Sequence, residues 1–257
     1  MDIKLKWGSK EIGQVQYNGT VIDNRKYKTP LEIDFMKWPE VNNEIRCCYS
    51  YNIVSQQFKV SPYDGEKEVK KIAFVVESPH KSEFTCCFKP IRPLNGVSGE
   101  RFDAVIFTKL CEWFRNELSE KTVYEIKIFN PVKYQASLYH YLNNQNPNDR
   151  LPQQVHISYN FDEDLKNNVW RALFESEKTK CKEDFINDIR SYSPDYIVNS
   201  CTGPCIENLR KEWSTFDDIN YRGGKNLKAL TKSALIDFKK KLPKTVKYRE
   251  DTHPASW

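Results

Sequence analysis

Four polar segments of this chain each lie just past a predicted β-strand: residues 77–80, 130–133, 200–203 and 251–253. Three of them supply a carboxylate, an amide or an imidazole, in Glu77, Asn130 and His253. Groups of these kinds stabilise developing charge, orient water and hydrogen-bond the edges of ligands. Because ligands bind beyond the carboxyl ends of strands in parallel sheets, the sequence predicts one site that contains all three side chains.

The elements that must position these residues alternate between strand and helix from residue 70 onward. A continuous apolar run predicts a buried strand at 71–76, and further strands are predicted at 123–129, 196–199 and 245–248. Apolar residues recur at three- and four-residue steps between Phe102 and Leu118, which predicts an amphipathic helix. Further helices are predicted around 165–173, 185–189 and 206–209 and over 227–242. This alternation predicts an α/β domain with a mostly parallel sheet.

Residues 1 to 65 lack this alternation and are predicted to form short strands and turns. Residues 14–17 and 20–22 flank Asn18-Gly19, a dipeptide that suits a tight turn with positive φ, so a hairpin is expected there. We therefore predict a small β-rich N-terminal appendage over residues 1–65, either an accessory layer or an insert for substrate specificity. One α/β domain is predicted over residues 66–257.

The composition predicts a soluble globular protein. The 257 residues are 39% hydrophobic and 29% charged, and no apolar run approaches the about 20 residues of a membrane span. The first residues alternate charge and apolarity without a signal-peptide core, so a cytoplasmic protein without a membrane partner is expected. The eight cysteines include the spaced pair Cys201 and Cys205, but one pair is not a metal site, and reduced thiols are expected. No cofactor, metal or obligate protein partner is predicted.

The formal net charge of +5 is modest, and the distribution of the basic residues is more informative. Six of them crowd the C-terminal part of the chain: Lys239, Lys240, Lys241, Lys244, Lys247 and Arg249. Such a run is either a solvated helix end or a surface that faces phosphate groups. Its position just before His253 favours the phosphate-facing surface.

The polar segments, taken in order, resemble the motifs of the uracil-DNA glycosylase superfamily. Glu77-Ser78-Pro79-His80 is similar to the first catalytic motif, which reads Gly-Gln-Asp-Pro-Tyr-His in the best-known branch and Gly-Glu-Ala-Pro-Gly in the iron–sulfur branch. Residues 92–99 resemble the next loop, Asn130 stands where the family has a base-reading Asn, residues 193–198 resemble a strand entry, and residues 253–257 resemble the closing His-Pro-Ser motif. The resemblance covers residues 68 to 257 and implies a three-layer α/β/α fold with a mostly parallel central sheet.

What the resemblance implies is an enzyme that flips a base out of DNA and hydrolyses the bond between that base and its sugar. Glu77 would stabilise the cationic sugar or orient water, and His253 would donate to the pyrimidine O2 as charge develops there. The implied base contacts are Asn130, His80, Leu94 and Ser78, and the implied DNA contacts are Ser256, Lys133, Ser98 and Trp257, the last as the wedge that replaces the flipped base.

Departures from the family motifs predict an unusual substrate. Ser78 replaces the Asp that serves as general base, His80 occupies the position that controls access to pyrimidine C5, and Leu94 replaces the Phe that stacks on the base. Lys133-Tyr134 replaces the Lys-Cys of the iron–sulfur branch, so no cluster is expected. We therefore expect excision of a non-standard pyrimidine, such as the glucosylated hydroxymethylcytosine of phage DNA that some relatives remove in defence of bacteria.

Other interpretations of these residues stay open. Uracil excision in base-excision repair is one, and a non-catalytic DNA-binding relative, which the loss of the motif Asp favours, is another. A nuclease would need a carboxylate cluster for metal ions, which the sequence lacks. Taken singly, Glu77 and Asn130 are ordinary turn residues, His253 is a surface or core histidine, and Trp257 is an exposed residue at a frayed end.

Overall fold

The computed structural model describes residues 2–17, 31–61, 65, 67–85, 89–138, 163–216, 219, 224–238 and 245–257. The chain divides into two compact units. The first consists of Met1–Asn42, Ser78–Arg92 and Val132–Glu183, and the second of Asn43–Glu77, Pro93–Pro131 and Asp184–Trp257. Each unit contains one sheet.

In chain order the strands are β1 (Asp2–Trp7), β2 (Lys10–Gln16), β3 (Leu31–Asp34), β4 (Glu44–Asn52), β5 (Gln57–Val60), β6 (Glu68–Val75), β7 (Thr122–Phe129), β8 (Tyr196–Asn199), β9 (Ser214–Thr215) and β10 (Lys247–Glu250). The described α-helices are α1 (Val97–Phe114), α2 (Glu163–Glu175), α3 (Cys181–Tyr192), α4 (Glu207–Lys211) and α5 (Leu227–Phe238). Among the described residues no helix is long and apolar enough to cross a membrane.

The first unit is built on a three-stranded sheet of order β2-β1-β3. β1 pairs antiparallel with β2 and parallel with β3, and Ile3 and Leu5 of β1 are fully buried. Helix α2 packs against β2. The observed hairpin joins β1 to β2. The first arm of the hairpin predicted at 14–22 lies mostly in β2, and its turn and second arm lie outside the described residues. A small β-rich N-terminal region is confirmed.

The second unit contains a seven-stranded sheet of order β5-β4-β7-β6-β8-β10-β9. The neighbours among β7, β6, β8 and β10 are parallel, whereas β4, β5 and β9 join antiparallel. The prediction of a mostly parallel sheet is therefore correct for the centre of the sheet and wrong for its flanks, which make it a mixed sheet. The boundary predicted near residue 65 is also wrong, because β4 and β5 belong to the main sheet.

The core of the second unit explains why these segments take the observed structures. The second half of β6, Ile72–Val75, is buried on both faces, as expected for a central parallel strand. One face of α1 buries Phe102, Ile106, Leu110, Trp113 and Phe114 against Phe74 and other apolar side chains of the sheet. The 3.6-residue period of the sequence thus predicts this helix correctly, and α1 begins at Val97, before the first core aromatic.

Glu117, just after α1, accepts hydrogen bonds from Lys247, Lys70 and the Tyr196 hydroxyl, at 2.8, 3.1 and 2.9 Å. The hydrogen bond from Lys247, followed by those from Lys70 and Tyr196, lowers the pKa of Glu117 to about 2 against an opposing effect of burial. A lowered carboxylate pKa stabilises the fold at pH values above the unfolded pKa of 4.5, and this contribution is lost as the pH falls towards 2.

We therefore expect Glu117→Gln to lower the free energy of unfolding at pH 7 by at most about 1 kcal/mol, because the carboxylate is partly exposed. The difference from the wild type should shrink as the pH falls from 5 to 2. Urea unfolding curves at several pH values measure this, and Glu120→Gln is the control on a neighbouring exposed carboxylate. A difference that does not change with pH would contradict the assignment.

Candidate functional site

The carboxyl ends of the four parallel strands lie in one row. The Val76 N–H donates to the Phe129 carbonyl at 2.9 Å, Ser200 to Val75 at 2.8 Å and Asp251 to Asn199 at 3.1 Å, so the ladder continues one residue past each strand. Asn130, Val76, Ser200 and Asp251 are therefore neighbours across the sheet. Three strand spacings of about 4.8 Å separate the two ends of this row by about 14 Å, a distance that one flipped nucleotide can span.

Asn130 ends the row at β7 and is fully buried. Its backbone N–H donates to the Asn43 side-chain oxygen at 3.0 Å. Neither Nδ2 nor Oδ1 of its side chain has a hydrogen-bond partner among the described residues. A buried polar group without a partner costs about 1–3 kcal/mol, and such groups in folded proteins commonly mark functional positions. The Asn130 amide offers one acceptor and two donor hydrogens to a ligand edge.

Glu77 follows β6 and is 4% exposed. Its Oε1 accepts a hydrogen bond of 2.7 Å from the backbone N–H of Thr202, in the loop after β8. The loop is positioned by Gly203, whose φ is +144°, because a Cβ there would lie 2.6 Å from Asn226 Oδ1. This hydrogen bond holds the Glu77 carboxyl group in a fixed position beside the row.

His253 lies two residues beyond the Asp251 end of the row. The ring Nδ1 accepts a hydrogen bond of 3.2 Å from the Ala255 N–H, as the N-cap of a 3₁₀ turn at Pro254–Ser256. A nitrogen that accepts this bond carries no proton, so the neutral ring carries its proton on Nε2. The bond fixes the ring on this turn, and the role of His253 in stabilising charge on a departing base stays a prediction.

Asp251 holds the segment that carries His253. Its carboxylate is 1% exposed, forms an ion pair of 3.1 Å with Lys109 and accepts a hydrogen bond of 3.1 Å from Trp113 Nε1. The ammonium group of Lys228 donates to the Asp251 carbonyl at 2.6 Å. These bonds occupy Asp251, so its role is to position the loop rather than to contact a substrate.

Trp257 contacts the aromatic core of the second unit. Its ring stacks on Phe102, with centroids 5.7 Å apart and planes at 22°, and meets the edge of Phe74 at 5.6 Å. Its Nε1 donates to the Thr252 carbonyl at 3.0 Å. The half-buried ring thus packs against the hydrophobic core and its nitrogen is used within the chain, which does not favour the wedge, and the wedge assignment stays a prediction.

Loss of the Trp257 ring should therefore destabilise the fold rather than impair base flipping. We expect Trp257→Ala to lower the free energy of unfolding by about 2 kcal/mol, less than for a fully buried aromatic side chain, because the ring is half-buried. Chemical denaturation measures the change, with the exposed Ser256→Ala as the control. Any remaining activity should fall equally on duplex and single-stranded DNA. Normal stability with a defect confined to duplex DNA would restore the wedge.

The structure also does not favour the prediction that Leu94 contacts the base. The side chain is 2% exposed and belongs to the core cluster with Phe74 and Phe102, so it does not provide a surface on which a base could stack. Ser98 is half-buried in the first turn of α1, and Ser256 is exposed in the 3₁₀ turn. Their contacts with DNA stay predictions.

Three predicted site residues belong to the first unit. Ser78 and Lys133 are half-buried, and the exposed His80 has its Nδ1 3.0 Å from the Ser82 hydroxyl. Their participation in base binding stays a prediction. A groove of ≈ 580 Å³ between β2 and α2, also in the first unit, is lined by none of the predicted site residues.

The basic run divides into a described and an undescribed part. Arg249 is 1% exposed, lies over the rings of Trp113 and Trp213 at 5.6 and 5.2 Å, and has its pKa lowered by burial. Lys247 pairs with Glu117. Arg249 is buried, so that prediction is wrong for it. It stays a prediction for the half-exposed Lys247, whereas Lys239, Lys240, Lys241 and Lys244 lie outside the described residues.

Sequence reasoning missed two contributors to the row. Ser200 is fully buried, and its hydroxyl has no hydrogen-bond partner among the described residues. Thr202 supplies the N–H that binds Glu77. The position of Ser200 directly after β8, which matches that of Asn130 after β7, was the available signal. The sequence held no such signal for Thr202, because its contribution is a backbone N–H and almost every residue has one.

Comparison of the chain with protein-family models, curated proteins and solved structures finds no match.

Proposed function

We propose that the second unit carries the active site of a DNA glycosylase that hydrolyses the bond between a flipped pyrimidine and its deoxyribose. The observation that carries the proposal is the Asn130 amide, which is fully buried at the carboxyl edge of the parallel strands without a hydrogen-bond partner among the described residues. A pyrimidine edge has neighbouring donors and acceptors that pair with an amide. Such pairing would compensate the cost of burying the amide.

The reaction breaks the bond between the sugar C1′ and the base nitrogen, and the electron pair of that bond leaves with the base. Water adds to C1′ and loses a proton, so the products are a free base and an abasic sugar. Glu77, as a fixed carboxylate, stabilises the positive charge on the sugar and orients the water. The Nε2–H of His253 stabilises the negative charge that develops on O2 of the base.

The arrangement of the second unit supports the three-layer fold that the resemblance implies. Helix α1 packs on the side chains of Phe74 and Val198, whereas α5 contacts Asn199 and Cys201 through Lys228 and Thr231. Because successive residues of a strand point to opposite faces, Val198 and Asn199 place the two helices on opposite faces of the sheet. An open parallel-centred sheet covered on both faces binds ligands at its carboxyl edge.

We propose a non-standard pyrimidine as the substrate, with uracil as the alternative. Ser78 stands in place of the general-base Asp of the resembling motif, and a half-buried hydroxyl cannot take over the charge of a carboxylate. Activation of water then depends on Glu77. The core position of Leu94 removes the expected stacking partner of the base, so recognition depends on polar contacts such as those of Asn130.

The direct test is release of a base from synthetic DNA. Single- and double-stranded oligonucleotides that contain uracil, 5-hydroxymethylcytosine or glucosylated 5-hydroxymethylcytosine are incubated with the full chain in a chelator, and abasic sites are revealed by alkaline strand cleavage. Release of at least one base supports the proposal. Tight binding of the same oligonucleotides without release would instead identify a non-catalytic DNA-binding protein. If the chain neither binds these oligonucleotides nor releases a base from them, the glycosylase and the DNA-binding interpretation are both refuted.

Two isosteric substitutions should lower the rate of base release by about a hundredfold each, the usual loss when a charge-stabilising group is removed. Glu77→Gln keeps an oxygen for the Thr202 N–H, and His253→Asn keeps an acceptor for the Ala255 N–H as a good N-cap. Folding should therefore be retained in both. Single-turnover assays measure the rates, with Glu120→Gln, an exposed carboxylate after α1, as the control. Unchanged rates would remove Glu77 and His253 from the mechanism.

A further inference from the structure

Cys205 and Lys228 lie in hydrogen-bond contact beside the row of strand ends. The ammonium group of Lys228 lies 3.0 Å from the Cys205 Sγ and also donates to the Asp251 carbonyl at 2.6 Å. Cys205 belongs to the loop after β8, and Lys228 belongs to the first turn of α5. Neither side chain has a role in the reaction proposed above. An oxidised thiol reacts with a neighbouring nitrogen, so this pair could be joined covalently by oxidation.

The backbone around the pair is anchored on both sides. The Lys228 N–H donates to the Thr202 carbonyl at 3.2 Å, and the Ile206 N–H donates to the buried Glu250 carboxylate at 2.7 Å. The loop between these two bonds lies directly on α5, because a Cβ added to Gly203 would lie 3.2 Å from the Cβ of Lys228. The fold therefore keeps the sulfur and the nitrogen close to each other.

The two side chains differ in their access to solvent. Lys228 is 1% exposed, and among the described residues no carboxylate pairs with its ammonium group, because the nearby Asp251 carboxylate pairs with Lys109 instead. Burial of a charged group is costly unless the group is paired and hydrogen-bonded, so the contact with sulfur helps to hold the amine in place. Cys205 is half-buried, so a small oxidant in solution reaches its sulfur before it reaches the nitrogen. Oxidation therefore begins at Sγ, with Nζ already in contact.

We propose that hydrogen peroxide joins Cys205 to Lys228 through an oxygen bridge, Sγ–O–Nζ. One peroxide molecule first transfers an oxygen atom to Sγ, which gives a sulfenic acid and one water. The Lys228 ammonium then loses a proton to water, and the sulfenic oxygen bonds to Nζ. The two hydrogens that leave the oxygen and the nitrogen reduce a second peroxide molecule to two waters. An added thiol reductant restores the thiol and the amine and is itself converted to a disulfide.

The distance favours a bridge through oxygen over a direct bond between sulfur and nitrogen. Two single bonds that meet at one oxygen hold their outer atoms only slightly closer than the observed 3.0 Å, whereas a direct bond requires a much larger approach that the anchored loop resists. Groups held in reactive contact behave as if one were present at about 10⁵ M or more. Lys228 should therefore trap the sulfenic acid before a free thiol or further peroxide does. This chemistry does not depend on the glycosylase proposal.

The test is peptide mapping by mass spectrometry of the full chain after treatment with hydrogen peroxide. Trypsin releases Cys205 in the peptide of residues 191–210 and, because it does not cut at a modified lysine, releases bridged Lys228 in the peptide of residues 226–232. These two peptides should be joined, with one oxygen more and two hydrogens fewer than their sum. Dithiothreitol should separate them again. Fragment spectra distinguish a bond to Cys205 from a bond to Cys201, which lies in the same peptide.

Two controls isolate the contribution of the amine. Lys228→Arg keeps a cation that can donate to the Asp251 carbonyl but removes the amine, so no joined peptide should form. Labelling of Cys205 by dimedone, which traps sulfenic acids, should then be at least about tenfold greater than in the wild type. Cys111 is half-buried like Cys205 but has no hydrogen-bonded lysine among the described residues, so dimedone should label it without any joining to a lysine peptide.

The decisive result is obtained on the wild-type chain and so does not require the variant to fold. Four results would each overturn the inference: a Cys205 that stays a free thiol in peroxide, a Cys205 that dimedone labels as fully as in Lys228→Arg, peptides joined without the added oxygen, and a disulfide between Cys201 and Cys205 in place of the bridge. None of these results bears on base release, which is measured separately.

Discussion

Replacement of Asn130 by Leu should lower the rate of base release by about a hundredfold or more. The variant should be at least as stable as the wild type. The two expectations have one cause. The amide is fully buried and lacks hydrogen-bond partners among the described residues, so the fold gains nothing from it. Leu has the same branched skeleton of heavy atoms as Asn and removes an uncompensated desolvation cost of about 1–3 kcal/mol. A residue with a purely structural role would show the opposite effect on stability.

The measurements are urea unfolding and single-turnover base release on the same preparations. Asn199→Leu is the informative control, since Asn199 is equally buried but its amide binds the Lys228 carbonyl at 3.1 Å, the Tyr248 hydroxyl at 3.0 Å and the Cys201 N–H at 3.2 Å. That variant should lose several kcal/mol of stability, because it leaves buried partners unsatisfied. An Asn130→Leu protein that is strongly destabilised, or that releases base normally, would contradict the assignment of Asn130 to the ligand.

Gly99→Ala should destabilise the second unit by about 3 kcal/mol or more. Gly99 lies in the first turn of α1, where Ala would ordinarily stabilise a helix by about 1 kcal/mol. Here a Cβ would lie 1.7 Å from the Leu94 carbonyl oxygen and 2.7 Å from its carbon. Backbone atoms cannot rotate away, so either the loop before α1 or the helix must move. Leu94 itself has a φ of +51°, which shows how tightly this turn is constrained.

Thermal or chemical denaturation of the Gly99→Ala protein measures the effect. Val97→Ala is the control, because Val97 is 64% exposed in the same turn and should change stability by less than about 0.5 kcal/mol. A displaced loop would also move the residues next to the row of strand ends, so base release should fall together with stability. Wild-type stability in Gly99→Ala would mean that the loop and the helix do not approach each other in this way.

Local patterns in the sequence determined most of the elements that carry the site. The strands predicted at 71–76, 123–129 and 196–199 correspond to β6 (Glu68–Val75), β7 (Thr122–Phe129) and β8 (Tyr196–Asn199), and the aromatic spacing corresponds to α1. Hydrophobic periodicity records burial residue by residue, so it needs no knowledge of distant partners. The positions of Glu77, Asn130 and Ser200 directly after strands follow from the same local information.

Tertiary structure alone decided which strands are neighbours and which polar groups are satisfied. β4 and β5 pair with the main sheet because β4 meets β7, a contact between residues far apart in sequence that no local pattern specifies. Trp257 and Leu94 are residue types that often contact ligands, but both pack against the core cluster that contains Phe102 and Phe74. Asn130 and Asn199 both follow or end a buried strand, yet only the three-dimensional neighbours of each amide determine that Asn199 is fully bonded and Asn130 is not. Hydrogen-bond satisfaction is a property of pairs of groups, and the sequence lists the groups without the distances between them.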